Sequence, residues 1–167
     1  MVQQIGSISN GFVIAAVLGF AILVLVPTIL MEVRATRRRR RQHVESRSTV
    51  TAEEFLQQIG VAGDVSRIAL GVRESIGLVM GVPTATVYAT DSFGYISKFQ
   101  FDGLDFLDIK LFMQGALEVR IPNKCWQKLE HTAVAKITVD DLIKWAIKNW
   151  SEFTPVIRSH QRKYKYV

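Results

Sequence analysis

The chain of 167 residues has few of the side chains that enzymes and metal proteins use for chemistry. It contains one cysteine, Cys125, and three histidines. A single cysteine cannot form an internal disulfide, which is consistent with a reducing compartment. The chain also has no glycine-rich phosphate loop, no HExxH motif and no paired cysteines at metal-ligand spacing. The sequence therefore predicts neither a bound metal nor an enzymatic activity.

Cys125 and His131 form the one pair that could be considered as a catalytic dyad. They lie six residues apart, a spacing that a single helix does not bring together on one face. A third, acidic member of such a group cannot be identified in the sequence. We therefore interpret the two residues as an incidental cysteine and a surface histidine.

Charged side chains are absent from the first 31 residues, and residues 11–31 are nearly all apolar. At about 1.5 Å per residue, such a helix crosses a bilayer core of roughly 30 Å. A cleavable signal peptide would have a basic start, a shorter apolar core and a small-residue cleavage site, and none of the three is present. We predict a short N-terminal segment over residues 1–10 and a single transmembrane helix over residues 11–31.

Six arginines follow the apolar run almost at once, and they are expected to contact anionic lipid headgroups at about 1 kcal/mol each. They are Arg34, Arg37, Arg38, Arg39, Arg40 and Arg41. Basic residues beside a span are retained on the cytoplasmic side. We therefore expect the N-terminus to face out and the C-terminal part to be cytoplasmic, at a bacterial inner membrane.

Charge is distributed unevenly along the chain. Residues 1–50 carry seven basic and two acidic side chains, residues 51–153 carry ten and thirteen, and residues 154–167 carry four and none. The middle part is mildly acidic, which argues against a nucleic-acid partner. We predict a basic juxtamembrane linker at residues 32–50, a folded domain at 51–153 and a basic aromatic tail at 154–167. The tail suits a membrane surface, and a solvated tail is the alternative.

Apolar residues of the domain recur at helical spacing, and no segment alternates over the length of a strand, so we expect an all-α fold. Thr51 and Glu54 have the spacing of a capping box at the start of the first helix. A second helix is predicted over residues 65–80, ended by Gly81. A long connection then leads to the third helix, and connections of such length are often functional.

The third helix is predicted from about Asp102 to Leu117, followed by a short helix near residues 124–129. Its expected buried side consists of Leu104, Leu107, Leu111 and Ala116. Thr138 and Asp141 repeat the capping-box spacing at the start of the last helix. The expected buried face of that helix consists of Leu142, Trp145, Ala146 and Trp150.

The order of these parts resembles the acyl carrier protein family over roughly residues 65–150. The motifs that carry the resemblance are GVP at residue 81, TDSF at 90, DGLDFLDIKL at 102, EVRIP at 118 and KITVDDLIKW at 136. The resemblance implies an acyl-carrier-like four-helix bundle behind the transmembrane helix.

Gly103 departs from the family at its most important position. Family members have a serine there, within D-S-L, which bears a 4′-phosphopantetheine arm; here Gly103 lies between Asp102 and Leu104. Glycine has no hydroxyl to form the phosphodiester, so the resemblance implies a domain that is not loaded and holds no cofactor. A genuine carrier would need an unrecognised serine. Ser92 and Ser97 are nearby, but neither is followed by the Leu-Asp pair of the family site.

The aspartates around Gly103 are at the predicted start of a helix. We expect Asp102 to be its N-cap, and Asp105 and Asp108 to face solvent and interact favourably with the helix dipole. A metal site is disfavoured, because spacings of three turn the carboxylates around the helix. The resemblance implies that Asp105, Asp108 and Glu118 contact basic patches of a partner, although a solvated helix face is equally consistent with the pattern.

Lys110 and Arg120 dilute the acidic character that the family would have on this helix. We therefore expect a docking module that binds a cytoplasmic protein, such as an enzyme of lipid or acyl metabolism, at the bilayer. One alternative is a loaded acyl carrier for membrane lipid or polyketide synthesis. The other is a structural subunit of a membrane complex.

Overall fold

The computed structural model describes residues 6–99, 106–130 and 134–156, and these are mostly helical. The chain divides into two compact units, Met1–Arg38 and Arg39–Val167. Residues 100–105, which include the predicted N-cap and Gly103, lie outside the described part, as do residues 131–133 and 157–167.

Helix α1, Gly6–Ser46, supplies the described residues of the first unit. Its large apolar side chains between Ile14 and Met31 that the structure describes are exposed or half-buried. Its length and composition suffice for one membrane crossing. Pro27 lies inside the helix, at a place where a membrane helix tolerates proline more readily than a soluble one.

The helix extends farther than its polar sequence predicts. A linker was expected over residues 32–50, but α1 continues to Ser46, and residues 39–46 belong to the second unit. Polar sequences form helices readily where tertiary contacts support them, because helix stability in proteins depends more on packing than on propensity. The non-helical connection between α1 and the next helix is therefore short, from Arg47 to Thr51.

Six further helices form the second unit within its described residues. They are α2 (Ala52–Ile59), α3 (Ser66–Met80), α4 (Phe93–Ile96), α5 (Phe106–Leu117), α6 (Asn123–Glu130) and α7 (Val139–Lys148). Helix α3 packs against both α5 and α7. Its position between them makes α3 the centre of the hydrophobic core.

Two short strands depart from the all-helical expectation. Strand β1 (Val119–Arg120) pairs antiparallel with β2 (Thr154–Pro155), with Val119 opposite Pro155. Strands of two residues are too short to show an alternating apolar pattern, so no pattern in the sequence predicts them. They join the residues after α5 to the residues after α7.

Both predicted capping boxes are confirmed. Thr51 Oγ1 accepts from the Glu54 N–H at 3.2 Å, and Glu54 Oε2 accepts from the Thr51 N–H at 2.8 Å. Thr138 and Asp141 make the same reciprocal pair at 3.2 and 3.0 Å. Gly81 ends α3 as predicted, in the left-handed conformation with φ of +64°.

Helix α3 meets the end of α5 at a glycine. A β-carbon built at Gly71 would overlap the end of the Leu117 side chain. A larger residue at this position would therefore require Leu117, a buried core side chain, to move. Most side chains of α3 are buried or half-buried. Its exposed side chains are Arg67, Glu74 and Leu78.

One buried arginine holds the connection that follows α3. Arg73 is 3 % exposed, and its guanidinium lies 4.3 Å from the centroid of the Phe55 ring. Over distances of 2.9 to 3.2 Å, the guanidinium donates to four backbone carbonyls, those of Val50, Thr51, Ala85 and Val87. Arg73 therefore joins α3 to the start of α2 and to the first half of the long connection.

Arg73→Met should lower the free energy of unfolding of the second unit by about 2 to 4 kcal/mol, because charge-assisted hydrogen bonds are lost and the Val50 and Val87 carbonyls lose their described donor. All three tryptophans lie in this unit, so urea unfolding of the detergent-solubilised full chain can be followed by tryptophan fluorescence. Arg67→Met, at an exposed position of the same helix, is the matched control. Equal stabilities of the two variants would contradict the role of Arg73.

Candidate docking surface

Helices α3 and α5 expose large apolar side chains on a shared face. Six such side chains are exposed in the described residues of the second unit, and four of them belong to these two helices. They are Leu78, Leu107, Leu111 and Phe112, with exposed fractions between 41 % and 55 %. Scattered exposed leucines are ordinary, but a contiguous apolar patch indicates an interaction surface.

A groove of about 740 Å³ lies along this face. The α3–α5 groove is lined by Glu74, Leu78, Asp108, Leu111, Phe112, Gly115 and Ala116. Its lining includes two carboxylates and, among the described residues, no basic side chain. An apolar floor with acidic side chains is suited to a segment that combines apolar and basic residues.

The buried face of α5 is not the one that the sequence predicted. Leu107 and Leu111 are exposed, and Ala116 is half-buried; Leu104 lies outside the described residues. The side chains that enter the core are those of Ile109, Met113 and Leu117. Helix α5 has apolar residues on both sides, so its sequence alone cannot say which side faces the core.

Lys110, which was predicted to dilute the acidic character of α5, does not present its ammonium group on the exposed face of that helix. Its side chain is buried, and Nζ donates to Asn123 Oδ1 at 2.6 Å. The ammonium group is thereby directed to the start of α6. Arg120 is exposed in β1.

The predicted partner-binding residues have different positions. Asp108 lines the α3–α5 groove. Glu118 is exposed at the end of α5, where its φ is +54°, and it is not part of the groove lining. Asp105 lies outside the described residues, with Asp102, Gly103 and Leu104. Glu74 was not predicted from the sequence, although its place one turn before Leu78 on a predicted helix was a usable signal.

The predicted lipid-contacting arginines also divide into two groups. Arg34, Arg37 and Arg38 are exposed in the first unit, whereas Arg39, Arg40 and Arg41 belong to the second. Arg39 and Arg40 donate to the carbonyls of Lys98 and Phe99 at 3.2 and 3.1 Å. Arg41 pairs with Glu45 on an exposed face, a contact of little energetic weight.

A polar cluster that the sequence analysis did not predict joins the end of α1 to the long connection. Arg47 binds Asp91 through two parallel hydrogen bonds of 2.7 Å. Asp91 also accepts from the Tyr88 N–H at 2.9 Å, and His43 Nδ1 lies 2.7 Å from the Tyr95 hydroxyl. Arginine and aspartate 44 residues apart leave no spacing signal in a sequence.

His43 is enclosed within this cluster. It is 3 % exposed, and its Nε2 atom has no hydrogen-bond partner in the described part of the chain. Burial lowers the pKa of His43 below its usual 6.5, and the neighbouring Arg47 charge lowers it further, against smaller opposing effects of Asp91 and of the Thr86 backbone. The imidazole is therefore held neutral and shielded from solvent, which suits a structural contact and not proton transfer to a substrate.

Cys125 is enclosed as well. Its side chain is buried, and Sγ donates to Glu152 Oε2 at 3.2 Å. Burial raises the pKa of the thiol, and Glu152 adds to the rise. Because the thiolate is the nucleophilic form, this environment opposes nucleophilic chemistry. His131 lies outside the described residues.

Comparison with known proteins gives no relative: no protein-family model, no curated protein and no solved structure matches the chain. The resemblance to acyl carrier proteins therefore stays a prediction from motifs. Among the described residues, no three histidine, cysteine, aspartate or glutamate side chains are grouped as a metal site would require.

The neutral state of His43 predicts a stability that depends on pH. Since its pKa is lowered in the folded chain, the unfolded chain binds a proton below about pH 6.5 that the native chain does not. Stability should therefore fall as the pH drops below about 6.5, by at most about 1.4 kcal/mol per pH unit from this group. In urea unfolding followed by tryptophan fluorescence, the stability difference between wild type and His43→Gln should shrink over that range. Parallel pH curves for the two chains would refute the assignment.

The two faces of α5 predict opposite responses to a similar loss of side chain. Ile109→Ala should destabilise the second unit by about 2 to 5 kcal/mol, because it leaves a cavity in the core. Leu111→Ala should change stability by less than about 0.5 kcal/mol, because the side chain is exposed. Thermal unfolding of the full chain measures both, and a larger loss from Leu111→Ala would reverse the assignment of faces.

Proposed function

We propose that this protein is a membrane-anchored docking module. Residues 11–31 of α1 anchor it, and the second unit is a non-loadable, acyl-carrier-like domain in the cytoplasm. The α3–α5 groove receives a protein partner, an enzyme of lipid or acyl metabolism, and thereby keeps that partner at the bilayer.

The groove is the observation that carries this proposal. Leu78, Leu111 and Phe112 combine apolar area with a concave surface, and Asp108 and Glu74 line it. At about 25 cal/mol for each Å² of apolar area removed from water, covering these side chains favours association. The two carboxylates supply orientation and association rate more than affinity.

The anchor is supported by the length and composition of α1 and by the arginines that follow its apolar part. On the positive-inside rule, the arginines favour a cytoplasmic second unit, and we propose a bacterial inner membrane. Arg34, Arg37 and Arg38 are exposed and would contact anionic headgroups there.

The carrier-like character is supported by the order of elements after residue 65. Among the described residues, α3 is followed by a long connection that contains the short helix α4, and then by α5, the short helix α6 and the capped helix α7. Gly103, at the family's attachment position, has no hydroxyl to carry an arm. A carrier-like domain that is selected for binding a partner, and not for bearing an acyl arm, would account for both the order of helices and the glycine at position 103.

Two rival functions would need different properties. A genuine carrier for membrane lipid or polyketide synthesis would bear 4′-phosphopantetheine on an unrecognised serine. A structural subunit would use the membrane helix itself as a packing surface inside a larger complex.

Co-purification of the tagged full chain from its native membranes tests the proposal. A protein recovered in near-stoichiometric amount with the wild type should be lost from Leu111→Asn/Phe112→Asn, because the groove then exposes less apolar surface. Val44→Asn is the matched control, since Val44 is exposed in the same unit but does not line the groove. Equal recovery of the partner with Leu111→Asn/Phe112→Asn and with Val44→Asn would contradict the proposal.

Two further measurements on these preparations separate the rivals. Replacing residues 11–31 by an unrelated transmembrane helix should leave the partner bound, whereas a structural subunit would lose it. Intact mass spectrometry should show no phosphopantetheine; the mass of that arm on any serine would establish the carrier function instead.

A further inference from the structure

We propose that the α3–α5 groove is occupied within the same chain by the C-terminal segment, residues 157–167. This inference rests on the proposed docking function, since it names the occupant that a partner must displace. The segment begins at Ile157, directly after the last residue that the structure describes.

Charge favours this occupant. Glu74 and Asp108 line the groove without a basic side chain among the described residues, and Lys110 is directed away to Asn123. The segment carries four basic side chains and no acidic one; they are Arg158, Arg162, Lys163 and Lys165. Opposite charges at the margin of an interface fix its register and suppress wrong partners.

The apolar side chains of the segment also match the groove. Tyr164 and Tyr166 alternate with Lys163 and Lys165, and Val167 follows Tyr166. Tyrosine contributes a large apolar ring with a polar tip, and it is enriched at interfaces for that reason. Leu78, Leu111 and Phe112 provide exposed apolar area for such rings.

The segment starts close to one end of the groove. The Val156 N–H donates to the Glu118 carbonyl at 2.9 Å, and Glu118 follows the groove residue Ala116 by two positions. From Ala116 back to Asp108, α5 rises about 12 Å. Eleven extended residues span up to about 36 Å. The segment is therefore long enough to follow the whole groove.

Attachment to the same chain makes weak contacts sufficient. A short connection gives a tethered segment an effective concentration in the millimolar range. Binding of the segment then needs only modest affinity, and a partner with better contacts can replace it. The groove would be covered when no partner is present, which limits nonspecific association of its apolar side chains.

Photo-crosslinking of the full chain in phosphatidylcholine nanodiscs tests the inference. With p-benzoylphenylalanine at position 164, the principal product should be an intrachain crosslink to α3 or α5, located by peptide mass spectrometry. Glu74→Lys/Asp108→Lys should reduce that crosslink about tenfold, because two attractions become repulsions. Asp64→Lys reverses an exposed carboxylate outside the groove and should leave the crosslink unchanged.

A compensating charge exchange separates a loss of attraction from misfolding of the Glu74→Lys/Asp108→Lys chain. Adding Arg162→Glu/Lys163→Glu to the Glu74→Lys/Asp108→Lys chain should restore the crosslink. Crosslinks mainly to lipid would assign the segment to the membrane surface, and crosslinks between chains would assign the groove to a second copy; either result overturns the inference. An intrachain crosslink that Glu74→Lys/Asp108→Lys leaves unchanged would also overturn the inference.

Partner binding by the groove variants and crosslinking at position 164 together distinguish this inference from the proposed function. If the groove variants lose the partner but position 164 does not crosslink to the groove, only the present inference fails. If position 164 crosslinks as expected but the partner is insensitive to Leu111→Asn/Phe112→Asn, the proposed function fails. If both hold, removing residues 157–167 should tighten partner binding.

Discussion

The second unit depends on the buried guanidinium of Arg73. Four backbone carbonyls from two separate stretches of chain converge on it, and no carboxylate shares the site among its described hydrogen bonds. Arginine suits this role because its planar group donates in several directions at once and covers the Phe55 ring. The Val50 and Val87 carbonyls have no other donor among the described hydrogen bonds, whereas those of Thr51 and Ala85 also accept from the N–H groups of Phe55 and Val50. The charge and the connection therefore stabilise each other.

Fixing α3 in this way determines where the exposed surface lies. Since α3 is enclosed by its neighbours, it has only a narrow strip left for solvent, and that strip includes Glu74 and Leu78. Helix α5 packs directly beside it. Leu111 and Phe112 of α5 then complete the α3–α5 groove. The groove is thus built on two helices that core packing holds rigidly, as a preorganised binding surface requires.

Local signals in the sequence predict the ends of helices better than their faces. The capping boxes at Thr51 and Thr138 are short-range arrangements of side chain and backbone, so a few residues suffice to recognise them. The orientation of α5, the burial of Lys110 and the pairing of Arg47 with Asp91 all depend on residues distant in sequence. Of the groove, the sequence predicted Asp108 as a contact, but it assigned Leu111 to the core.

Anchoring and groove binding are more effective together than either would be alone. A small groove with two carboxylates offers limited apolar area. The entropic cost of association in solution would offset much of the free energy that burying this area contributes. On the proposed arrangement, the membrane helix confines the groove to a thin layer at the bilayer, where enzymes of lipid metabolism also work. A partner that touches the same membrane meets the groove at a raised effective concentration. Modest contacts then suffice for occupancy while still allowing exchange, which is what a reversible docking module needs.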